Sequence, residues 1–378
     1  MHLPARILSL IAVFCTLAFT ALAQDEPKPW SGFGVELNQV AGKVFKHTAN
    51  FHAPVPTVSA ATDLNFTLHT YGKYEWEQHR HYPVLGVGLT YTIYGIDSIY
   101  GRCIGLYPNI QIPIIAGKRL EWTLRFGLGV GYVSRHYATA PRWDTLNNAI
   151  GSHINNFTMF TTDLRYHINE HWDFQLGANF SHISDGSFRQ PNLGINMYGG
   201  HIGAIYYPVT RTSRRVTHVL CQVSNRWEVQ ARLGFSFVSY KPAGGPLYPV
   251  YMPSLYVSKR YACHNKAFLG VDYSYHSNIY AFLKNNEIDP GHEAAHSWKS
   301  AIFFGNEFIY GRFGLVLQVG IYTKQAALKL DKYYEKLGYN FYLIQHEKGP
   351  LKELSLYTML KTHKIVAELI EFGVSAGF

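Results

Sequence analysis

The feature that most constrains the fold of this sequence is an alternation of apolar and polar residues with a period of two. In the last such segment the even positions 372–378 are Phe, Val, Ala and Phe, and the odd positions 371–377 are Glu, Gly, Ser and Gly. Successive side chains of a β-strand point to opposite faces, so each segment predicts a strand with one apolar and one polar face. We predict about fourteen strands, in a range of roughly 12–16, at 32–46, 63–71, 83–94, 102–114, 120–134, 154–167, 171–184, 195–207, 227–240, 250–262, 266–282, 298–309, 312–323 and 362–378.

Soluble β-sandwiches also alternate, but the connections between the predicted strands separate the two classes. The short connections follow even-numbered predicted strands, at 116–119, 169–170, 263–265 and 310–311. The long connections follow odd-numbered predicted strands, near 47–62, 135–153, 283–297 and 325–361. Short turns at one end and long loops at the other are typical of transmembrane β-barrels. Two links, near 72–82 and 208–225, are longer than this pattern prefers. We therefore predict an all-β protein, a transmembrane antiparallel up-and-down β-barrel with periplasmic termini, in the outer membrane of a Gram-negative bacterium.

The first 23 residues have a basic start, an apolar run and the small-residue pattern Ala21-Leu22-Ala23, which predicts a cleaved signal peptide. Residues 24–378 then form the barrel, with 24–210 as the half that carries the motif described below and 211–378 as additional strands without an assigned role. The net charge is +9, but the basic residues are scattered. A nucleic-acid partner is therefore not expected, whereas anionic lipid head groups would be attracted.

The mature chain has three cysteines, Cys103, Cys221 and Cys263, without a CxxC spacing. This pattern argues against a zinc site or a disulfide scaffold. Cys221 and Cys263 fall on the same predicted side of the membrane, so they form either one disulfide or two unrelated thiols. His292 and His296 have the spacing of a zinc motif, but they fall in a predicted loop rather than on a long helix. No metal and no cofactor is expected.

The stretch 181–196, SHISDGSFRQPNLGIN, carries the candidate chemistry. His182 and Ser184 continue the apolar, lipid-facing row of the predicted strand 171–184 at its outer end, where a polar pair is costly unless it is functional or interfacial. Residues two apart on a strand project about 6–7 Å apart on one face, within reach of a side-chain hydrogen bond. An imidazole that takes the proton of a serine hydroxyl produces a nucleophile for ester cleavage, provided that oxyanion donors are present.

The same stretch resembles the signature of the lipid A 3-O-deacylases, outer-membrane barrels of the acyloxyacyl hydrolase (PagL-like) family. The resemblance covers the motif and its flanking strands closely, and the preceding 146–155 (LNNAIGSHIN) more loosely. It implies that Ser184 is the nucleophile, His182 the general base and Asn192 a residue of the oxyanion hole, together with backbone amides near Asp185. Gly186, in the same loop, is a further candidate for binding the oxyanion or the substrate. The substrate it implies is lipid A, in lipopolysaccharide, or a related outer-leaflet lipid.

Two positions depart from the family pattern. Asn196 stands where the family has its acidic triad residue, and Asp185 follows the serine where the family has Asn. Asn196 can orient the imidazole but cannot stabilise an imidazolium by charge, and Asp185 is the alternative orienting group. The family's better-known members also have eight strands, fewer than predicted here.

Several alternatives therefore stay open. The motif can belong to a weakened or inactive enzyme, or to an interfacial loop in a non-catalytic barrel with a pore, structural or adhesion role. In a pore, the polar row 272–278 would line an open channel. The acyl position and the oligomeric state are not indicated by the sequence.

Overall fold

The computed structural model describes residues 30–378 except 140–143, 213, 220–222, 224–226, 240–242, 326, 328–330, 347 and 365. The predicted signal peptide and Cys221 lie outside the described residues. In the first part of the chain the strands are β1 (Phe33–Phe45), β2 (Ser59–His69), β3 (Val84–Ile93), β4 (Arg102–Ala116), β5 (Leu120–Val133), β6 (Ile154–His167), β7 (Trp172–Ser184) and β8 (Ile195–Tyr206), with a short helix α1 (Glu75–His79) between β2 and β3. In the second part they are β9 (Trp227–Ser239), β10 (Leu247–Ala262), β11 (Asn265–His276), β12 (Trp298–Tyr310), β13 (Phe313–Lys324), β14 (Tyr333–Gln345), β15 (Glu353–His363) and β16 (Val366–Gly377), with helix α2 (Ser277–Asn285) and a 3₁₀ turn (Ala295–Ser297) between β11 and β12.

The strands close into two antiparallel barrels of eight strands each, not into one barrel of about fourteen. In the first barrel β8 returns to pair with β1, from Val35 opposite Tyr206 to Phe45 opposite Asn196. In the second, β16 pairs with β9, from Phe372 opposite Phe235 to Gly377 opposite Gln230. The prediction of a single barrel is therefore wrong, although the all-β, up-and-down architecture is confirmed. Closure removes the free strand edges that an open sheet of eight strands would expose.

Each barrel has an apolar outside and carries most of its polar and charged side chains inside, as the alternation predicts. On β7, Trp172 and Phe174 are exposed on the outer surface, while Asp173 and Gln175 are fully buried inside. This arrangement is the reverse of a soluble protein and is typical of barrels that face lipid. Among the described residues, no helix is long and apolar enough to cross a bilayer.

Ion pairs occupy the interior of both barrels. In the first, buried Arg125 lies 3.1 Å from a Glu36 oxygen and 2.9 Å from an Asp63 oxygen. In the second, Lys336 lies 2.9 Å from an oxygen of Asp272, a residue of the row that the pore alternative placed along a channel. Eight strands leave an interior just wide enough to be filled by side chains. The wide lumen on which the pore alternative depended is therefore replaced by two narrow, side-chain-filled interiors.

The second barrel differs from the predicted strands in its final third. The segment 325–361, expected as a long loop, contains β14 and most of β15, and the predicted last strand 362–378 begins within β15. The predicted strand 266–282 ends at His276, and its remainder belongs to α2. Both β14 and β15 carry charged residues inside the barrel, Lys336 and Lys361 among them. These charges lie on the inner face, so β15 keeps the alternation, with Leu356 exposed between buried Ser355 and Tyr357.

The two unusually long links are both accounted for by the second barrel. Link 72–82 contains α1, and just after it Arg80 donates to the carbonyl oxygen of His264 at 2.6 Å and to Asn265 Oδ1 at 2.8 Å. Trp76 of α1 packs edge-on against Tyr310, with ring centroids 6.0 Å apart. Link 208–225 runs from β8 to β9 and so connects the barrels. The inner end, where the short turns lie, is therefore one contact region between the barrels.

At the opposite end, which we call the outer end, long loops pack over the mouth of the first barrel. Buried Phe51 and Ile150 from two of these loops join Ile183 and Ile195 of β7 and β8 in one apolar cluster. The loop segment 146–155 contacts the motif directly, because Gly194 N donates to the carbonyl oxygen of Ala149 at 2.8 Å. This packing holds the ends of β7 and β8 in a defined position.

Candidate functional site

The outer ends of β7 and β8 place the motif residues side by side. His182 pairs directly with Asn196 across the two strands, and the next row toward the membrane pairs Phe180 with Tyr198. Asn196 in turn stands opposite Phe45 of β1. Directly opposed residues of an antiparallel pair have their side chains about 4.5–5.5 Å apart. The register alone therefore brings the histidine and the asparagine, which are fourteen positions apart in the sequence, into contact.

Ser184, His182 and Asn196 form a hydrogen-bonded line. His182 Nε2 lies 2.9 Å from Ser184 Oγ, and His182 Nδ1 lies 2.6 Å from Asn196 Oδ1. With its proton on Nδ1, the ring donates to the amide oxygen and presents Nε2 as an acceptor to the serine hydroxyl. Ser184 is only 5% exposed. The arrangement has the connectivity of a nucleophile, a general base and an orienting group.

Asp185 has a different role from the orienting one that the sequence left open. Its Oδ2 accepts the N–H of Arg189 at 3.1 Å, so the carboxyl group closes the loop that follows β7. Its other oxygen, Oδ1, is buried without a hydrogen-bond partner in the structure. Burial raises the pKa of this carboxyl group to about 7. Asn196, not Asp185, is therefore the group in contact with His182.

Asn192 is bound to the same loop through its carbonyl end. Its Oδ1 accepts the N–H of Asp185 at 3.0 Å. Because the oxygen is occupied, the amide NH₂ of Asn192 is the end available to donate to another group. Gly186, the other candidate oxyanion residue, has a positive φ of 62° and leaves no room for a Cβ beside Ile370 of β16.

Gly194 forms the wall behind the imidazole. Its φ is +76°, and a Cβ at this position would lie 2.6 Å from His182 Cε1. A residue with a Cβ is disfavoured in the left-handed region and would also strike the ring. The absence of a side chain at Gly194 therefore leaves the space that the His182 ring occupies.

An apolar groove of about 530 Å³ lies on the outer wall of the first barrel and ends below the site. It crosses β4 to β7 and is lined on the lipid side by Ile112, Leu124, Phe126, Phe160 and Phe180. Phe180 is two residues from His182 on the same face of β7, a separation of about 6–7 Å. The groove therefore lies next to the site, but neither His182 nor Ser184 lines it.

Two family models match the chain, one on each barrel. Residues 60–204 match the model of the lipid A 3-O-deacylase (PagL), and residues 225–378 match the C-terminal domain of acyloxyacyl hydrolase. The chain belongs to the PagL-like acyloxyacyl hydrolase family. No curated protein matches it.

Solved outer-membrane barrels resemble this PagL-like protein only distantly. The structure of the outer-membrane enzyme PagL matches with 17% identity and a TM-score of 0.28, covering 44% of this chain and 97% of its own. Neisserial surface protein A matches with 10% identity and a TM-score of 0.33, covering 47% of this chain and 97% of its own.

The C-terminal domain of this PagL-like protein contacts the loop that carries the candidate oxyanion residues. Ser187 Oγ donates to the carbonyl oxygen of Ala367 at 2.9 Å, and the ring of Phe188 lies 6.1 Å from that of Phe237. Arg189 Nη1 donates to the carbonyl oxygen of Gly245 at 3.1 Å. The second barrel, to which the sequence assigned no role, therefore packs against one side of this loop.

Sequence reasoning missed one residue in contact with the site. Asn196 Nδ2 lies 2.8 Å from Nδ1 of His47, which follows β1. Its signal was weak, since His47 is one of 19 histidines and lies far from the motif in the sequence. Only the pairing of β8 with β1, a product of barrel closure, brings the two together.

Proposed function

We propose that this protein is an outer-membrane serine esterase that removes an ester-linked acyl chain from lipid A or a related outer-leaflet lipid. The observation that carries the proposal is the line Ser184–His182–Asn196, with distances of 2.9 and 2.6 Å, at the outer end of a lipid-facing row. In this proposal the acylated glycolipid lies in the leaflet beside this end of β7, and the groove that ends at Phe180 offers space for its acyl chain.

In this mechanism Ser184 Oγ attacks the acyl carbonyl carbon while His182 Nε2 takes the hydroxyl proton. Asn196 Oδ1 accepts the His182 Nδ1–H and so keeps Nε2 free as the acceptor. The Asn192 NH₂ group and a backbone N–H near Gly186 donate to the oxyanion. His182 then returns the proton to the leaving alcohol oxygen, and the acyl-enzyme is hydrolysed by water with His182 again acting as base.

Mass spectrometry of lipid A from cells that express the wild type, Ser184→Ala or His182→Ala tests the proposal. We expect loss of one acyl chain with the wild type and unchanged lipid A with both variants. Ser181→Ala is the matched control, since Ser181 lies on β7 but faces the interior. Full activity in Ser184→Ala would refute the proposal, as would unchanged acylation of lipid A and of the other outer-leaflet lipids with a folded, membrane-inserted wild type.

A further inference from the structure

The amide of Asn196 lies between two imidazole rings. Its oxygen is 2.6 Å from His182 Nδ1, and its nitrogen is 2.8 Å from His47 Nδ1. The acid expected here from the family pattern would offer an acceptor oxygen at both ends, whereas an amide has one acceptor end and one donor end. The substitution therefore makes the site depend on which way the amide points.

Only one orientation of the amide supports general-base catalysis. With Oδ1 toward His182, that ring carries its proton on Nδ1 and its Nε2 can accept the serine proton. With the amide reversed, Nδ2 would donate to His182 Nδ1 and force the ring proton onto Nε2, where it blocks that transfer. The two orientations have nearly the same shape, so a further group has to distinguish them.

From this geometry we infer that His47 is a positioning residue that holds Asn196 in the productive orientation, an inference that rests on the proposed function. The Nδ1 atom of His47 faces the amide nitrogen of Asn196. An unprotonated Nδ1 can only accept a hydrogen bond, so it pairs with the NH₂ end of the amide and not with the oxygen. The His47 side chain is exposed, so water can solvate an Nε2–H, the tautomer that a free imidazole prefers. Reversing the amide would require His47 to move its own proton to Nδ1.

The surroundings of His47 hold its ring in place. The ring packs against Phe45, with centroids 6.5 Å apart, and against buried Phe51 at 6.2 Å. Phe45 is the direct cross-strand partner of Asn196, so the ring is anchored to the same row as the amide. His47 also precedes the residues 60–204 that match the lipid A 3-O-deacylase model. In this inference His47, which lies outside the matched segment, holds the amide orientation that the asparagine at position 196 requires and an acidic residue would not.

The test combines turnover with the tautomer of His182. Deacylation rates are measured on purified protein with lipid A in detergent for the wild type, His47→Ala and the control His52→Ala, an exposed histidine of the same loop. His47→Ala and His52→Ala are also each compared with their parent protein in the Asn196→Glu background. The imidazole nitrogens of His182 are observed by ¹⁵N NMR in each protein.

We expect His47→Ala to lower kcat at least about tenfold with little change in KM, with the roughly 10⁴-fold cost of a wrong triad tautomer as the upper limit. His52→Ala should behave as the wild type. In the Asn196→Glu background His47→Ala should have little effect, because a carboxylate accepts from His182 in either orientation. The NMR spectrum should show the His182 Nδ1–H form in the wild type and a growing Nε2–H population in His47→Ala.

Three outcomes would overturn the inference: kcat of His47→Ala within twofold of the wild type, an equal loss in the Asn196→Glu background, or an unchanged His182 tautomer. If the wild type has no deacylase activity, the proposed function fails. The tautomer measurement still decides the role of His47 in that case.

Discussion

Replacement of Gly194 by alanine should disable the site while leaving the barrel intact. The added Cβ would lie 2.6 Å from His182 Cε1, whereas carbon atoms in contact normally stand about 3.5–4.0 Å apart. The ring must therefore retreat by roughly 1 Å, which takes at least one of its two hydrogen bonds beyond normal range. A displacement of about 1 Å can cost about 10²-fold in rate. The positive φ adds a strain of about 1–2 kcal/mol to the folded state.

The assay is the rate of acyl release from lipid A in detergent, with heat modifiability on a gel to show that the barrel is folded. Gly200→Ala, on the strand β8 that follows Gly194, is the matched control, since the nearest atom to its added Cβ is the Gly177 carbonyl oxygen at 3.8 Å. We expect Gly194→Ala to lose about 10²-fold in kcat and Gly200→Ala to keep wild-type activity. A folded Gly194→Ala protein with activity within twofold of the wild type would refute the argument that the imidazole position is critical.

Three further predictions concern stability and the contact between the barrels. Burial raises the pKa of Asp185 to about 7, so the folded state keeps a proton that the unfolded chain releases above about pH 4. The free energy of unfolding is therefore lowered by a penalty that increases from about pH 4 and reaches its full size above about pH 7. Asp185→Asn removes this penalty, so it should stabilise the protein above pH 7 by up to about 4 kcal/mol and hardly at pH 4. Equal unfolding midpoints for the two proteins at pH 8 would contradict this. Arg125→Met removes the ion-pair partner of Glu36 and Asp63 inside the first barrel and should lower the free energy of unfolding in urea by about 3–5 kcal/mol; a loss below about 1 kcal/mol would show that the interior charges are compensated elsewhere. Ile370→Ala removes the side chain that packs on Gly186 and should lower kcat several-fold in a folded protein, whereas Ile302→Ala on the exposed face of β12 should not; equal rates would mean that the second barrel does not order the loop.

The sequence predicts the strands of the first barrel well because they depend on local alternation. All eight strands are present within a few residues of their predicted bounds, and the predicted outward row of β7 is exposed. The number of strands per barrel is not local information. It depends on the pairing of β8 with β1, between residues more than 150 positions apart, for which the sequence carries no periodic signal.

The site divides in the same way between local and non-local contacts. His182 and Ser184 are two residues apart on one strand, so strand periodicity alone predicts their contact. Asn196 requires only the pairing of two neighbouring strands. His47 requires barrel closure, and the contacts of Ser187 and Arg189 require a second barrel that the sequence did not separate from the first. The triad itself is thus encoded within one hairpin, and the groups that support it come from the loop after β1 and from the second barrel. A hairpin with the correct motif in a barrel that lacks these groups would have the nucleophile and base without a fixed tautomer or an ordered loop. If the proposed function holds, we therefore expect the residues around Asn196, and not the motif alone, to decide activity.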